Sequence, residues 1–315
     1  MKQNGDRILV VVNPTKPSDQ ASISRGAWLA NKFGLGLDLF ICDYQQALTI
    51  YPFLDTIAIE QSQNTTVSES RQGLEEIAGA LRKQGLDVEI NVAWDTPVDE
   101  GIIRHVLRTR PKFVIKETTY YPSIGRALFT NTDWNLVRLC PVPLWLTKSG
   151  AWDPNATVLA SLDPTHENDE YSELDQQILE LAAFVAEKSN SELHAFHSFV
   201  PITSIPVMQP DAGLIPDLGA REEIRKSHAK RMDLQLKNYE IKQENIHLMS
   251  GRPEHLLPEV AKDTNAGLIV MGSIARNALQ RIFIGSTTEK VLHKLPCDLL
   301  VVKPEWFITS VRLEE

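Results

Sequence analysis

The chain has 315 residues, enough for about two domains. Hydrophobic residues make up 43% and charged residues 23%, which excludes wholesale disorder, and no run reaches the roughly 18 apolar residues of a membrane helix. The net charge of −9 sits entirely in residues 151–315, with 16 basic and 25 acidic side chains against 16 and 16 before them, and an acidic half repels DNA and RNA backbones.

The N-terminus places a short apolar run directly after Arg7. It lacks the length and the small-residue cleavage site of a signal peptide, so a cytoplasmic protein with no membrane span is expected. Strands are predicted near Ile8–Val12, Leu37–Cys42, Val88–Val92, Phe113–Lys116 and Leu144–Leu146, with helices between them. A Gly/Pro linker, Ser149 to Ala156, follows. Beyond it the order repeats. Strands are expected at Val158–Leu162, Glu192–Ser198, Asn245–Met249, Leu268–Met271 and Asp298–Val302. Helices are expected through Leu174, Ile178, Leu181, Ala182 and Val185, then at Arg221–Tyr239, His255–Lys262 and Ser286–Lys294.

The halves also match residue by residue, at an offset of 150 to 156 residues. Asn13-Pro14-Thr15 falls on Asp163-Pro164-Thr165, Pro97 on Pro253, Pro141 on Pro296 and Lys148 on Lys303. The expected organisation is residues 1–149 and 150–315, each a doubly wound α/β domain with a five-stranded parallel sheet. In such sheets ligands bind at the carboxyl ends of strands, near the reversal of strand order.

Most familiar chemistry is absent. There is no GxxxxGK[ST], GxSxG, HExxH or CxxC. Cys42, Cys140 and Cys297 are an odd number without metal spacing and read as buried thiols. Gly34-Leu35-Gly36 precedes a strand, whereas a dinucleotide turn follows one, so it reads as a helix end. His194 and His197 lie three apart on a strand and point to opposite faces, which argues against joint metal ligation. The other histidines show no usable spacing.

The segment Val270 to Leu292 carries the most information. Gly272 closes a strand, and Ser286 opens a helix directly after Gly285. Free amides and the positive end of a helix dipole make such a start an anion site. Gly285 admits close approach of a phosphate, Ser286 and Thr287 offer hydroxyls, and Arg276 offers a charge-assisted bond. Ser286 and Glu289 equally make a capping box, which needs no ligand. Asp163 before Pro164 reads either as a site residue or as a turn former.

The spacing Gly272-x-x-Ala275, nine residues, then Gly285-Ser286 resembles the G-x-x-G-x9-G-[S/T] motif of the universal stress protein family. The resemblance spans nearly the whole chain, twice, and is nearest to the tandem type. It implies two tandem doubly wound sheets of the adenine nucleotide alpha hydrolase-like fold, forming a pseudo-dimer through the last strands, Leu144–Leu146 and Asp298–Val302. It implies a non-enzymatic role in stress endurance, including resistance to DNA damage, with weak nucleotide hydrolysis the one enzymatic alternative. It also implies a site for ATP or another adenine nucleotide with magnesium in the second half. Gly272, Ala275, Arg276, Gly285, Ser286 and Thr287 would take the phosphates, Asp163 the ribose, and the position near Ser198 the adenine.

Two departures matter. Ala275 replaces a motif glycine. In the first half Glu117, Tyr120, Thr130 and Asn131 occupy the key places and Asn13 replaces the aspartate, so a phosphate would be crowded and repelled there. Finally, the long connections 43–63 and 199–218 are apolar, and would pack on the other half or roof a pocket for a lipid or acyl chain. A hydrophobic-ligand binder is therefore the alternative function.

Overall fold

The computed structural model describes residues 6–15, 20–44, 56–121, 126–128, 130–148, 151–166, 172–200, 218–273 and 294–313. The chain divides into two compact units. Of the described residues, the first gathers those of 1–153 with Ser273 and 298–313; the second gathers those of 154–272 and 294–297.

The first unit contains β1 (Arg7–Val11), α1 (Ala21–Phe33), β2 (Gly36–Asp43), α2 (Thr56–Lys83), β3 (Val88–Trp94), α3 (Val98–Thr109) and β4 (Phe113–Glu117). A small hairpin follows, β5 (Thr119–Tyr121) and β6 (Arg126–Leu128), then α4 (Asn131–Leu139) and β7 (Leu144–Thr147). Its sheet runs β3-β2-β1-β4-β7, all parallel, so the order reverses between β1 and β4. The near-continuous apolar strands follow from burial on both faces: Ile8, Leu9, Phe113, Val114 and Trp145 have no exposed surface. Gly34 adopts φ 68° and its N–H caps α1 at Ala30 O, so the Gly34-Leu35-Gly36 stretch is a helix end, as read from its position.

The second unit contains β8 (Thr157–Ser161), a 3₁₀ turn at Pro164–His166, α5 (Ser172–Ser189), β9 (Leu193–Phe199), α6 (Leu218–Leu236), β10 (Ile246–Ser250), α7 (Pro253–Asp263) and β11 (Ala266–Gly272). Its sheet runs β10-β9-β8-β11, again all parallel. The order reverses between β8 and β11, which puts the Asp163 turn and Gly272 side by side at the carboxyl ends of the strands.

The last strand, β12 (Asp298–Val302), pairs antiparallel with β7 inside the first unit, Leu299 opposite Leu146 and Val301 opposite Leu144. The sheet of the first unit thus holds six strands, because the final strand of the second repeat pairs within that unit. Asp298 anchors it. Its Oδ2 accepts from Arg25 Nε at 2.8 Å and from Trp145 Nε1 at 2.9 Å, and its Oδ1 accepts from the Lys148 N–H at 2.9 Å. Both charged side chains are buried. Trp152 stacks on Trp28 with 4.9 Å between ring centroids, and the Arg25 guanidinium lies 5.1 Å from the Trp152 ring.

Strand limits differ from expectation by one or two residues, the range over which element ends fray. The hairpin β5–β6 was not anticipated. Helix α2 begins at Thr56, inside the predicted connection 43–63; residues 45–55 and 201–217 of the two connections lie outside the described residues. No helix among the described residues is long and apolar enough to cross a membrane.

Candidate functional site

At the carboxyl end of β8 the chain turns through Asp163-Pro164-Thr165. Thr165 Oγ1 donates to Asp163 Oδ1 at 2.6 Å, so the turn reading of Asp163 is realised locally. The Asp163 N–H is held by both carboxylate oxygens of Asp175 on α5, at 3.1 and 3.0 Å. Asp175 Oδ2 also accepts from Gln235 Nε2 on α6 at 3.0 Å. The first repeat builds the same turn with uncharged groups. Thr15 N–H and Oγ1 donate to Asn13 Oδ1 at 3.0 and 2.9 Å, and the Asn13 N–H donates to Gln20 Oε1 at 2.8 Å. Acidity at this turn is therefore particular to the second repeat.

Gly272 ends β11 beside that turn. A Cβ there would lie 2.5 Å from Leu174 Cδ2 on α5, so the missing side chain lets α5 pack closely against the strand end. That packing accounts for the glycine without a ligand. Ser198 follows His197 on β9, and its Oγ is buried with no hydrogen-bond partner among the described residues. Ala275, Arg276, Gly285, Ser286 and Thr287, with Glu289 and the predicted Ser286–Lys294 helix, lie outside the described residues. Gly272, Asp163 and Ser198 alone represent the predicted site.

The corresponding place in the first repeat is occupied by the protein itself. Glu117 Oε2 accepts the first N–H of α1, from Ala21, at 2.7 Å. At the start of α4, Thr130 and Asp133 form a reciprocal capping box. The Asp133 N–H donates to Thr130 Oγ1 at 3.2 Å, and the Thr130 N–H donates to Asp133 Oδ2 at 2.7 Å. Lys116 Nζ, the cation nearest in sequence, is spent on Asp133 Oδ1 at 2.6 Å and on Glu117 O at 3.2 Å. Two helix N-termini that could attract an anion thus each hold a carboxylate of the chain.

Histidines form two pairs that sequence spacing did not reveal. His194 Nδ1 lies 3.0 Å from His247 Nε2. On the opposite face of β9, His197 Nδ1 lies 3.0 Å from Leu162 O, and His197 Nε2 lies 2.8 Å from His228 Nδ1 on α6. The opposite directions of His194 and His197 follow the strand period. Their partners come from β10 and α6, and no spacing in the sequence pairs them. Burial pushes all four imidazoles below the ordinary histidine value. No group of three or more metal-ligating side chains exists among the described residues.

Burial also pushes the Cys42 and Cys140 thiols up to about 12, the mark of inert core cysteines. Cys297 is buried as well.

Comparison with known proteins gives a consistent answer. The universal stress protein family matches residues 5–148 and 169–303. Universal stress protein E of Salmonella typhi is 27% identical over 309 residues, covering 98% of this chain and 97% of its own. The universal stress protein E homolog of Haemophilus influenzae is 25% identical over 304 residues, covering 94% and 97%. Among solved structures, a protein of unknown function from Pseudomonas aeruginosa PAO1 superposes with a TM-score of 0.72 at 25% identity, over 95% of this chain and 93% of its own. A universal stress protein from Archaeoglobus fulgidus DSM 4304 superposes with a TM-score of 0.69 at 17% identity, over 96% and 100%, and supports the fold alone. The chain is a tandem member of the universal stress protein family, with the mostly parallel α/β architecture of its two repeats.

Proposed function

We propose that this protein is a non-enzymatic stress-endurance protein in which the second repeat alone retains a ligand site, a weak one for an adenine nucleotide. One observation carries the asymmetry. In the first repeat Glu117 and Asp133 fill the helix N-termini and Lys116 is neutralised, whereas the second repeat keeps an acidic turn at Asp163 beside Gly272. Asp163 stands where the ribose would lie. With magnesium, Gly272, Ala275, Arg276, Gly285, Ser286 and Thr287 would hold the phosphates and the position near Ser198 the base. Weakness follows from two features: Thr165 already engages one Asp163 oxygen, and Asp175 brings a second carboxylate to the Asp163 N–H. Full-length similarity to proteins named universal stress protein E supports the stress role, with resistance to DNA damage as its expected expression.

Isothermal titration with ATP and magnesium tests the reading. We expect one site per chain with a dissociation constant on the order of 0.1 mM or weaker. Gly285→Glu should abolish it, and Glu117→Gln should leave it unchanged. Two sites per chain, or binding that survives Gly285→Glu, would refute it. Ultraviolet survival of a strain lacking the gene, complemented with either form, tests the role.

A further inference from the structure

Helix α6 is polar along most of its length. Met232 and Leu236 are its buried hydrophobic side chains among the described residues. Two buried apolar anchors are few for a helix of 19 residues, and polar ties add to its attachment. Gln235 donates to Asp175, which holds the Asp163 N–H. Arg231 Nη1 donates to Thr165 O at 3.3 Å. His228 meets His197 at 2.8 Å and stacks on Phe199, with 4.8 Å between centroids and 16° between planes. These ties end on β9, on the Asp163 turn, and on Asp175 of α5, which itself holds that turn.

We infer that His197 and His228 form a proton-sensitive latch that docks α6 onto β9 and the Asp163 turn, and releases it on acidification. The tautomers follow from the partners. Leu162 O only accepts, so His197 carries its proton on Nδ1 and presents a bare Nε2. His228 must then donate from Nδ1, which leaves its Nε2 as the acceptor of the first added proton. The resulting imidazolium still donates to His197 and still lies over Phe199, so one proton leaves the latch closed. A second proton has only His197 Nε2 to occupy. Two N–H donors and two positive rings then face each other, and the bond is lost.

The charged groups around the pair come from different elements. Asp163 on the β8 turn favours protonation of both rings, and Arg231 on α6 opposes it at His228. Asp175 on α5 is engaged by the Asp163 N–H and Gln235. The one titratable residue of β10, His247, is paired with His194 on the other face. Burial outweighs Asp163, and both rings sit below the ordinary value while docked. A freed α6 therefore binds protons that the docked one refuses. Docking is fully supported above the ordinary histidine value and is lost as pH falls through the window beneath it. The inference concerns α6 and does not depend on a nucleotide being bound.

Hydrogen exchange of the full chain, with ring-nitrogen NMR, tests it. Between about pH 7.5 and about pH 5.5, protection of the 218–236 amides should fall at least roughly fivefold more than that of the 246–250 amides. In His197→Gln, whose amide can donate to Leu162 O and accept from His228 but does not titrate, the excess should shrink below roughly twofold. Equal loss in α6 and β10, or an undiminished excess in His197→Gln, would overturn the latch. If that variant does not fold, the wild-type protein decides alone. His197 protonated on Nδ1 and bare on Nε2 near neutral pH supports it, and the reverse tautomer sinks it.

Discussion

Asp298 gives the sharpest test of how the last strand is held. Replacing it with Ala leaves the Arg25 guanidinium buried without its carboxylate and strips the Trp145 indole and the Lys148 amide of their acceptor. Breaking a buried ion pair from one side costs about 3–5 kcal/mol. At about 2–4 °C per kcal/mol for a unit of this size, Asp298→Ala should lower the melting temperature by roughly 6–20 °C. Arg25→Met should cost less at low pH. Burial already pushes the Asp298 carboxyl above its ordinary value, and Arg25 is the strongest of the groups pulling it back. Without Arg25 the folded carboxyl rises further above the unfolded one. The folded state then holds a proton that the unfolded state has released, so stability falls as pH rises from the ordinary carboxylate value. The double variant should cost less than the two single costs added, by about 1–3 kcal/mol. Urea unfolding followed by tryptophan fluorescence at two pH values measures all four corners of the cycle. Single variants within about 1 kcal/mol of wild type, or strictly additive costs, would show that the pair does not fasten β12.

Further predictions rest on separate observations. Thr130→Ala removes the cap of α4 and should destabilise the first unit by about 1 kcal/mol in chemical denaturation, whereas Thr130→Ser should restore most of it. Cys42 and Cys140 should resist alkylation in the folded protein near pH 8 and react once it is unfolded, as read by peptide mass mapping; labelling of native protein at the unfolded rate would contradict their burial. Nucleotide titration should show one weak site per chain, abolished by Gly285→Glu and indifferent to Glu117→Gln. Acidification should release α6 ahead of β10 through the His197–His228 pair.

Much of the architecture was legible because it rests on local periodicity. Strands such as Ile8–Val12 and Leu268–Met271 stand out as short apolar runs, since both faces of a parallel sheet are covered. The repeated Pro-Thr turns after β1 and β8 were visible as aligned residues, and the two turns share their local hydrogen bonds. The acidity of Glu117 in the first repeat was also legible, since it follows from the residue's identity alone. Its actual position, on the first amide of α1, was not legible, because that contact spans 96 residues.

The sequence by itself determined the repeat, the strand–helix alternation and the family, because these depend on which side chains recur and at what spacing. Only the tertiary structure decided which unit receives β12, why Gly272 has no side chain, and which histidines meet. Those outcomes depend on distances between segments far apart in the chain. Asp298 finds Arg25 across 273 residues and His228 finds His197 across 31, and no periodic pattern encodes a partner on another element.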